Sequence, residues 1–327
     1  MNTILVTGGA GYIGSHSVKY LLERGHRVLV LDNLCGGFRD AVPEGLFVEG
    51  DIGDAKLLDR LFSENDIDAV MNFASFIEVG ASVKNPSGYF RNNVGNTLIL
   101  LEAMARHRVQ NFVFSSTAAI FGNPQYTPVD EEHPKAPINP YGRSKWLVEQ
   151  MLADYAIAYG LKSVCLRYFN AAGADPDGAL GERHQPETHL IPLVLQAASG
   201  RRSSITVFGN DYDTKDGTCI RDYIHVEDLA QAHWLALNYL DEEGRGAVFN
   251  LGNGNGYSIR QVIDAVRQVS GQDFHVENGL RRPGDPPILV ADSRKARSSL
   301  GWQPEFSSLS EIIRHAWNWE KKKGSAW

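Results

Sequence analysis

Short apolar runs alternate with helically spaced stretches through the first half of the chain. Runs at 4–7, 27–31, 46–49, 69–73, 111–115 and 163–168 read as strands. The stretches 14–24, 55–62, 88–107 and 140–159 between them read as helices. That order predicts an α/β architecture, a doubly wound parallel sheet with helices on both faces. Beyond Asn170 the pattern loosens. The region 173–190 is rich in Gly, Pro, Asp and His and too polar for a core. Shorter strand and helix signals follow at 204–208, 226–239, 247–251, 259–269 and 309–322. No internal repeat, low-complexity tract or clean linker separates the halves. The expected division is a larger unit over 1–170 and a smaller α/β lobe over 171–327, intercalated with it.

Composition narrows the function classes. A chain of 327 residues can bury one large or two modest cores, and 43% hydrophobic with 22% charged residues is ordinary for a globular protein. The net charge of -7 argues against a nucleic-acid partner, which would call for a basic face. Cys35, Cys165 and Cys219 are odd in number, far apart and without C-x-x-C spacing, so neither a disulfide framework nor a zinc site is implied and a reducing compartment is expected. Residues 1–7 read as a buried strand rather than a signal peptide, and no apolar run approaches a membrane span. The expectation is a cytoplasmic protein.

Candidate chemistry gathers at the strand ends. Gly8, Gly11 and Gly14 follow the first predicted strand and open the first predicted helix. Glycines there permit a tight turn and close approach of a pyrophosphate to the helix N-terminus, the Rossmann-type arrangement; a plain glycine turn is the bland alternative. Asp32 stands roughly 20 residues on, where a carboxylate accepts ribose hydroxyls and repels a 2′-phosphate, which favours NAD over NADP. It also fits a capped Asp-Asn-Leu turn. Asp51 and Ile52, after the third strand, are placed to flank an adenine.

Further along, Asn139 and Pro140 suit a helix start, which puts Tyr141 and Lys145 on one face beside the nicotinamide end of such a cofactor. A free phenol titrates near ~10. An ammonium about 4 Å away, at an effective dielectric of ~20, contributes roughly 4 kcal/mol, or about three pKa units, enough to make the phenol a base.

Eight segments then occur in order: T-G-G-x-G-Y-I-G, D-N-L, G-D-I, S-S-T-A, Y-G-x-S-K, L-R-Y-F-N-A-A-G-A, G-x-D-Y-x-T-x-D-G-T-x-x-R-D-Y-I-H-V-x-D-L and R-R-P-G-D. Together they resemble the UDP-glucose 4-epimerase family of the extended short-chain dehydrogenase/reductase superfamily, over essentially the whole chain. The glycine and Tyr/Lys motifs are superfamily-wide, whereas R-D-Y-I-H-V and R-R-P-G-D are much more specific to sugar-nucleotide members.

The resemblance implies Thr117, Tyr141 and Lys145 as catalytic residues that also touch the cofactor. It implies NAD contacts at Tyr12 and Ile13 on the pyrophosphate, and at Asp32 with the turn Asn33, Leu34, Cys35, Gly36 and Gly37 on the adenosine. Asp51 and Ile52 would lie at the adenine, Phe73, Ala74, Ser75, Ile77 and Asn92 along the cofactor, and Phe169 near the nicotinamide. For the UDP-sugar it implies Thr117, Tyr141, Asn170, His189, Leu190, Thr206, Val207, Phe208, Arg221, Arg282, Asp285 and Leu289. Arginine forks suit a diphosphate and a carboxylate suits a ribose diol, although an arginine in a polar loop is usually only solvated. No metal is implied.

Three departures stand out. Asn72 and Ile77 replace residues common in the family along the cofactor, and Leu289 falls where members differ in bulk.

The implied reaction is isomerisation without net redox change. Tyr141 takes the O4 proton as NAD oxidises C4, the 4-keto sugar turns, and C4 is reduced on its opposite face. A sugar-nucleotide 4,6-dehydratase needs an acid/base pair after the Thr, where this chain has Ala118 and Ala119. A UDP-pentose (arabinose/xylose) 4-epimerase shares the C4 chemistry and is the alternative. A non-catalytic NAD sensor would need the glycine loop but no base. The helices 88–107 and 140–159 carry extra apolar residues, Leu98, Leu101, Trp146, Leu147 and Met151, and by resemblance should pair in a homodimer.

Overall fold

The computed structural model describes residues 2–282 and 285–326. Seven parallel strands form its centre, in the order Ala247–Leu251, Lys162–Tyr168, Asn111–Thr117, Ala69–Asn72, Thr3–Thr7, Arg27–Asp32 and Phe47–Glu49. Successive side chains of a strand face opposite ways, so both faces of this sheet need cover. Ile4, Val6, Val28, Val30 and Met71 enter one core with Leu229, Ala236 and Leu240 of the helix Val226–Glu243. Leu5, Leu31, Val70, Phe112 and Phe114 enter the other, with Leu100, Leu101, Val148 and Leu152. The doubly wound Rossmann-type expectation describes this layer.

Residues after 170 serve two cores. The strand Ala247–Leu251 extends the central sheet by pairing with Lys162–Tyr168 in register Ala247↔Val164, while a third core gathers Val194, Leu195, Ile205, Val207, Val262, Ile263 and Ile312. In that lobe Ile220–His225 is flanked by Gly256–Ser258 and Ile288–Leu289 and also pairs with Asn170–Ala172. Ser204–Phe208 pairs with His275–Gly279. Among the described residues no helix is long and apolar enough to cross a membrane.

The stretch 88–107 is not the single helix expected. It opens as Pro86–Tyr89, where Asn85 caps through a bond from Gly88 N (3.1 Å), runs as a π-helix over Phe90–Asn96, and becomes α-helical only at Thr97–His107. The wider turn places Asn93 inside, where its side chain bonds neighbouring segments. Such π-bulges are frequent at functional sites.

Candidate functional site

The nucleotide end is shaped by backbone that side chains would obstruct. Gly8 has φ +72°, and a Cβ on it would lie 2.5 Å from Ala74 N; one on Gly14 would lie 2.2 Å from Gly8 O. The helix Tyr12–Glu23 starts at Gly11 with no side-chain cap, so the first-turn N–H groups of Tyr12, Ile13 and Gly14 face the loop without a side-chain acceptor. This cradle fits a dinucleotide pyrophosphate. The Tyr12 side chain goes elsewhere: its hydroxyl donates to Gly173 O (2.8 Å), and burial raises its pKa.

Buried Asp32 ends its strand by accepting from Ala10 N (2.9 Å) and Leu34 N (2.8 Å). The capped turn foreseen as an alternative is therefore real, and it also ties the glycine loop to the candidate ribose site. Burial raises the Asp32 pKa while these two N–H bonds act against the rise. Leu34 takes φ 58°, and Cys35, exposed, donates from its N to Asn33 Oδ1 at 3.0 Å. A Cβ on Gly37 would come 2.9 Å from Ala10, whereas Gly36 has open space. Asp51 gathers Asn33 Nδ2 (2.6 Å), Gly53 N (2.7 Å) and Asn96 Nδ2 (2.9 Å), and Ile52 is buried beside it.

Asn72, one of the departures, accepts from Thr7 Oγ1 (2.8 Å) and Ala74 N (3.1 Å), so it shapes the bend at Phe73 and Ala74. Ser75 donates to Phe76 O, and Ile77 is exposed. Asn92 bonds Asn93 Oδ1 at 3.0 Å.

At the other end, the strand Asn111–Thr117 delivers Thr117 to the start of the helix Pro140–Tyr159. Asn139 caps that helix through a bond from Gly142 N (2.8 Å), with Pro140 in its first turn, as expected. A Cβ on Gly142 would sit 2.5 Å from Ala119 O, so glycine lets the helix approach the turn after Thr117. Thr117 Oγ1 accepts from Ala119 N (3.1 Å), which leaves its own O–H as a donor. Burial raises the Tyr141 pKa, and a hydrogen bond with Thr117 opposes that rise.

Lys145 shares the buried environment of Tyr141. Burial lowers Lys145 itself to about 7, and its Nζ donates to Ser115 O at 2.9 Å, so the base pair shares one dry environment in which neither charge comes cheaply.

Several supporting residues had no motif to announce them. Asn93 accepts from Phe76 N (2.8 Å) and donates to Phe76 O and Ser144 Oγ (both 3.0 Å), joining the π-helix to the helix that carries Tyr141. Beneath that helix, Glu149 accepts from Ser116 Oγ and pairs with buried Arg167. Tyr168 hydrogen-bonds Ser115. A repeated hint, polar residues at positions a helical stripe assigns to core, was available for Asn93 and Glu149.

The sugar-nucleotide candidates from Asn170 onward fall into several contact groups. Arg221 donates to Ile220 O (2.8 Å) and Pro286 O (2.9 Å) and pairs with Asp285 at 3.2 Å. The Arg282 guanidinium lies 4.1 Å over the Phe208 ring, and Pro283 and Gly284 of the same motif lie outside the described residues. Thr206 and Val207 stand on the strand leading to Phe208. Asn170 Nδ2 donates to Asp222 O (2.9 Å), and His189 and Leu190 open the helix Leu190–Ala198. Leu289, in register with Arg221, packs with Phe169 and Trp146 on Ala118, Ile120 and Phe121. One short strand thus links Arg221 to the turn that follows Thr117.

Comparison with known proteins agrees with this geometry. The NAD dependent epimerase/dehydratase family matches residues 4–252. A UDP-glucose 4-epimerase of Halalkalibacterium halodurans is 53% identical over 98% of this chain and 96% of its own length. The crystal structure of a Brucella ovis UDP-glucose 4-epimerase in complex with NAD superposes with a TM-score of 0.95 at 50% identity, covering 97% of this chain and 98% of that one. A Bifidobacterium longum UDP-glucose 4-epimerase in complex with NAD+ and UDP gives a TM-score of 0.93 at 39% identity, over 99% of this chain and 100% of that one. With its glycine cradle and its Thr–Tyr–Lys set on the same scaffold, the chain belongs to the NAD dependent epimerase/dehydratase family, in its UDP-glucose 4-epimerase branch.

Proposed function

We propose that the protein interconverts UDP-galactose and UDP-glucose by epimerisation at C4 through a transient 4-keto sugar, with NAD retained between turnovers. The observation that carries this reading is Thr117 beside Tyr141 on a helix start, followed by Ala118 and Ala119 instead of an acid/base pair. When bound, the dinucleotide would supply a hydride acceptor at C4 that returns the same hydride, with no net redox change. The remaining work falls to the chain. Tyr141 takes the O4 proton and Thr117, its oxygen already committed to Ala119 N–H, donates toward the same oxygen. Lys145, fixed by the Ser115 carbonyl, orients the cofactor ribose.

Arg221 and Arg282 hold the diphosphate and Asp285 the uridine ribose, with the Arg221–Asp285 pair pre-setting their spacing. The hexose meets mainly apolar neighbours around Leu289, so it can turn while the nucleotide stays fixed. We also infer a cytoplasmic homodimer paired through the helices Thr97–His107 and Pro140–Tyr159.

The test is to incubate the purified protein with UDP-galactose, UDP-arabinose or UDP-N-acetylgalactosamine without adding NAD, and to identify the products and the acid-released cofactor. UDP-glucose and NAD or NADH are expected, with Tyr141→Phe slowed by at least ~10²-fold and Thr117→Val impaired by the same logic. Recovery of NADPH, a need for fresh cofactor at every turnover, or Tyr141→Phe activity near that of the parent protein would overturn the reading.

A further inference from the structure

Ser115, Ser116 and Thr117 end the strand Asn111–Thr117, and alternation along a strand turns the middle one away from its neighbours. Phe112, Phe114 and Ser116 thus share the sheet face that the helix Pro140–Tyr159 covers with Val148 and Leu152. Ser116 meets Glu149 there, its Oγ donating to Oε1 at 2.5 Å. Glu149 also accepts from Arg167 Nε at 3.0 Å and Nη2 at 2.5 Å, and both side chains of that pair are only 3% exposed. A buried ion pair is a poor source of stability, because drawing two charges out of water offsets most of their attraction, and apolar side chains of similar volume often serve as well. Stability therefore gives no reason for a carboxylate on this face. Its neighbour along the helix does. Lys145 precedes Glu149 by four residues, about one helical turn, where opposite charges attract.

We propose that Glu149, anchored by Arg167 and Ser116, is a positioning residue for the epimerisation: its charge biases Lys145 toward the ammonium, and its bond to Ser116 fixes the strand end that carries Ser115 O and Thr117. This rests on the epimerase reading, in which Tyr141 loses its proton more readily beside an ammonium than beside a neutral amine. Lys145 has modest support of its own. Its Nζ donates to Ser115 O at 2.9 Å and lies 4.9 Å over the Phe114 ring. Burial lowers its pKa, and the Glu149 carboxylate opposes that fall.

Other ionisable groups pack around this cluster. Tyr141 stands one turn earlier on the same helix, and Tyr89 interacts with it from the helix Pro86–Tyr89. The strand Lys162–Tyr168 contributes Cys165 and Tyr168 beside Arg167, the loop before the helix contributes Lys135 and Glu131, and the strand Asn111–Thr117 carries none. Burial raises Tyr89, Cys165 and Tyr168, which keeps all three uncharged near neutrality. Burial also lowers Lys135 and raises Glu131. A titration of the whole protein therefore mixes several groups, and Lys145 has to be isolated by difference.

The test measures kcat for UDP-galactose against pH in the NAD-loaded parent protein, Glu149→Gln and Glu149→Asp. Without the carboxylate the ammonium is less favoured, so in Glu149→Gln the alkaline limb, where Lys145 loses its proton, should move down by about one pH unit, with kcat lowered and KM unchanged. Glu149→Asp keeps the charge and should restore the limb. Asp154→Asn, which removes an exposed carboxylate of the same helix, should leave the profile as in the parent. Denaturant unfolding isolates the lysine: the stability difference between Glu149→Gln with and without Lys145→Met should begin its rise with pH about one unit lower than the same difference in the parent background. Unfolding needs no turnover. A parent protein that does not epimerise would therefore sink the functional reading, while the unfolding comparison still decides whether Glu149 sets the charge of Lys145. If Glu149→Gln does not fold, Ser116→Ala decides, with an expected loss of about fivefold in kcat, the effect of one hydrogen bond, at unchanged KM. Coincident limbs in the parent and a folded Glu149→Gln, an Asp variant that behaves like the Gln one, or a Ser116→Ala kcat equal to the parent's would each overturn the proposal.

Discussion

Lys145 reaches from the helix Pro140–Tyr159 to the carbonyl of Ser115, and in doing so leaves water entirely. Burial lowers its pKa to about 7, so the ammonium is disfavoured in the folded state relative to the unfolded chain, where a lysine keeps its ordinary value of 10.5. The sign follows from proton counting. Between those two values the unfolded chain holds a proton that the folded one lacks, so stability is fully present above the unfolded pKa and is lost as pH falls toward the folded one. Lys145→Met removes this dependence. In cofactor-free protein, the stability of the parent relative to Lys145→Met should therefore rise by up to about 1.4 kcal/mol per pH unit above neutrality and flatten below it. Denaturant unfolding of both proteins from about pH 6 to pH 9 measures the difference, in which all other titrations cancel. A difference independent of pH would mean that the lysine titrates normally.

At the scale of elements, legibility tracked apolar pattern. The first strands and the helices that cover them are two-sided or striped, and their residues announced them; Asn139 and Pro140 likewise marked the helix that carries Tyr141. What stayed hidden is polar and buried. The strand Ile220–His225 contains Asp222, which accepts from Asn253 N (2.8 Å), Gly254 N (3.0 Å) and Ala291 N (3.1 Å), and a carboxylate used this way reads as loop. The π-helix was hidden for a related reason, since the hydrogen bonds of Asn93 that fix it reach segments distant in sequence.

Leu289 belongs to a two-residue strand, too short to be seen, yet its register beside Arg221 and its packing near Ala118 make it a wall of the proposed hexose site. Its branched apolar tip offers an N-acetyl amide no hydrogen-bond partner, so burying that amide as the sugar turns is unfavourable. Leu289→Ser should raise kcat/KM for UDP-N-acetylglucosamine relative to UDP-glucose, by up to the ~10–200-fold that a small group in a pocket commands. An unchanged ratio, or a parent protein that handles both sugars equally, would place the selectivity elsewhere.

At the scale of the whole molecule, the apolar residues singled out for pairing divide into two groups. Leu101 is fully buried, and Trp146 and Met151 pack partly into the interior, so these three belong to the fold. Leu98 and Leu147 do not: they stay 38% and 41% exposed on neighbouring helices, with Val79 and Val83 exposed on the helix Val79–Lys84 beside them. A strip of this kind exposes apolar surface that a second copy would cover, and a two-fold axis would present each leucine twice. Covering the remaining exposed part of a leucine stabilises by about 1 kcal/mol, so the four copies contribute roughly 4 kcal/mol. Leu98→Glu with Leu147→Glu removes that contribution and sets like charges across the axis, which should raise the dimer dissociation constant by at least ~10²-fold. The fold should survive, because both positions already face solvent. Sedimentation velocity at micromolar concentration distinguishes the outcomes: a dimeric parent with a monomeric double variant is expected, whereas a monomeric parent or a variant of unchanged mass would show that these helices pair with nothing.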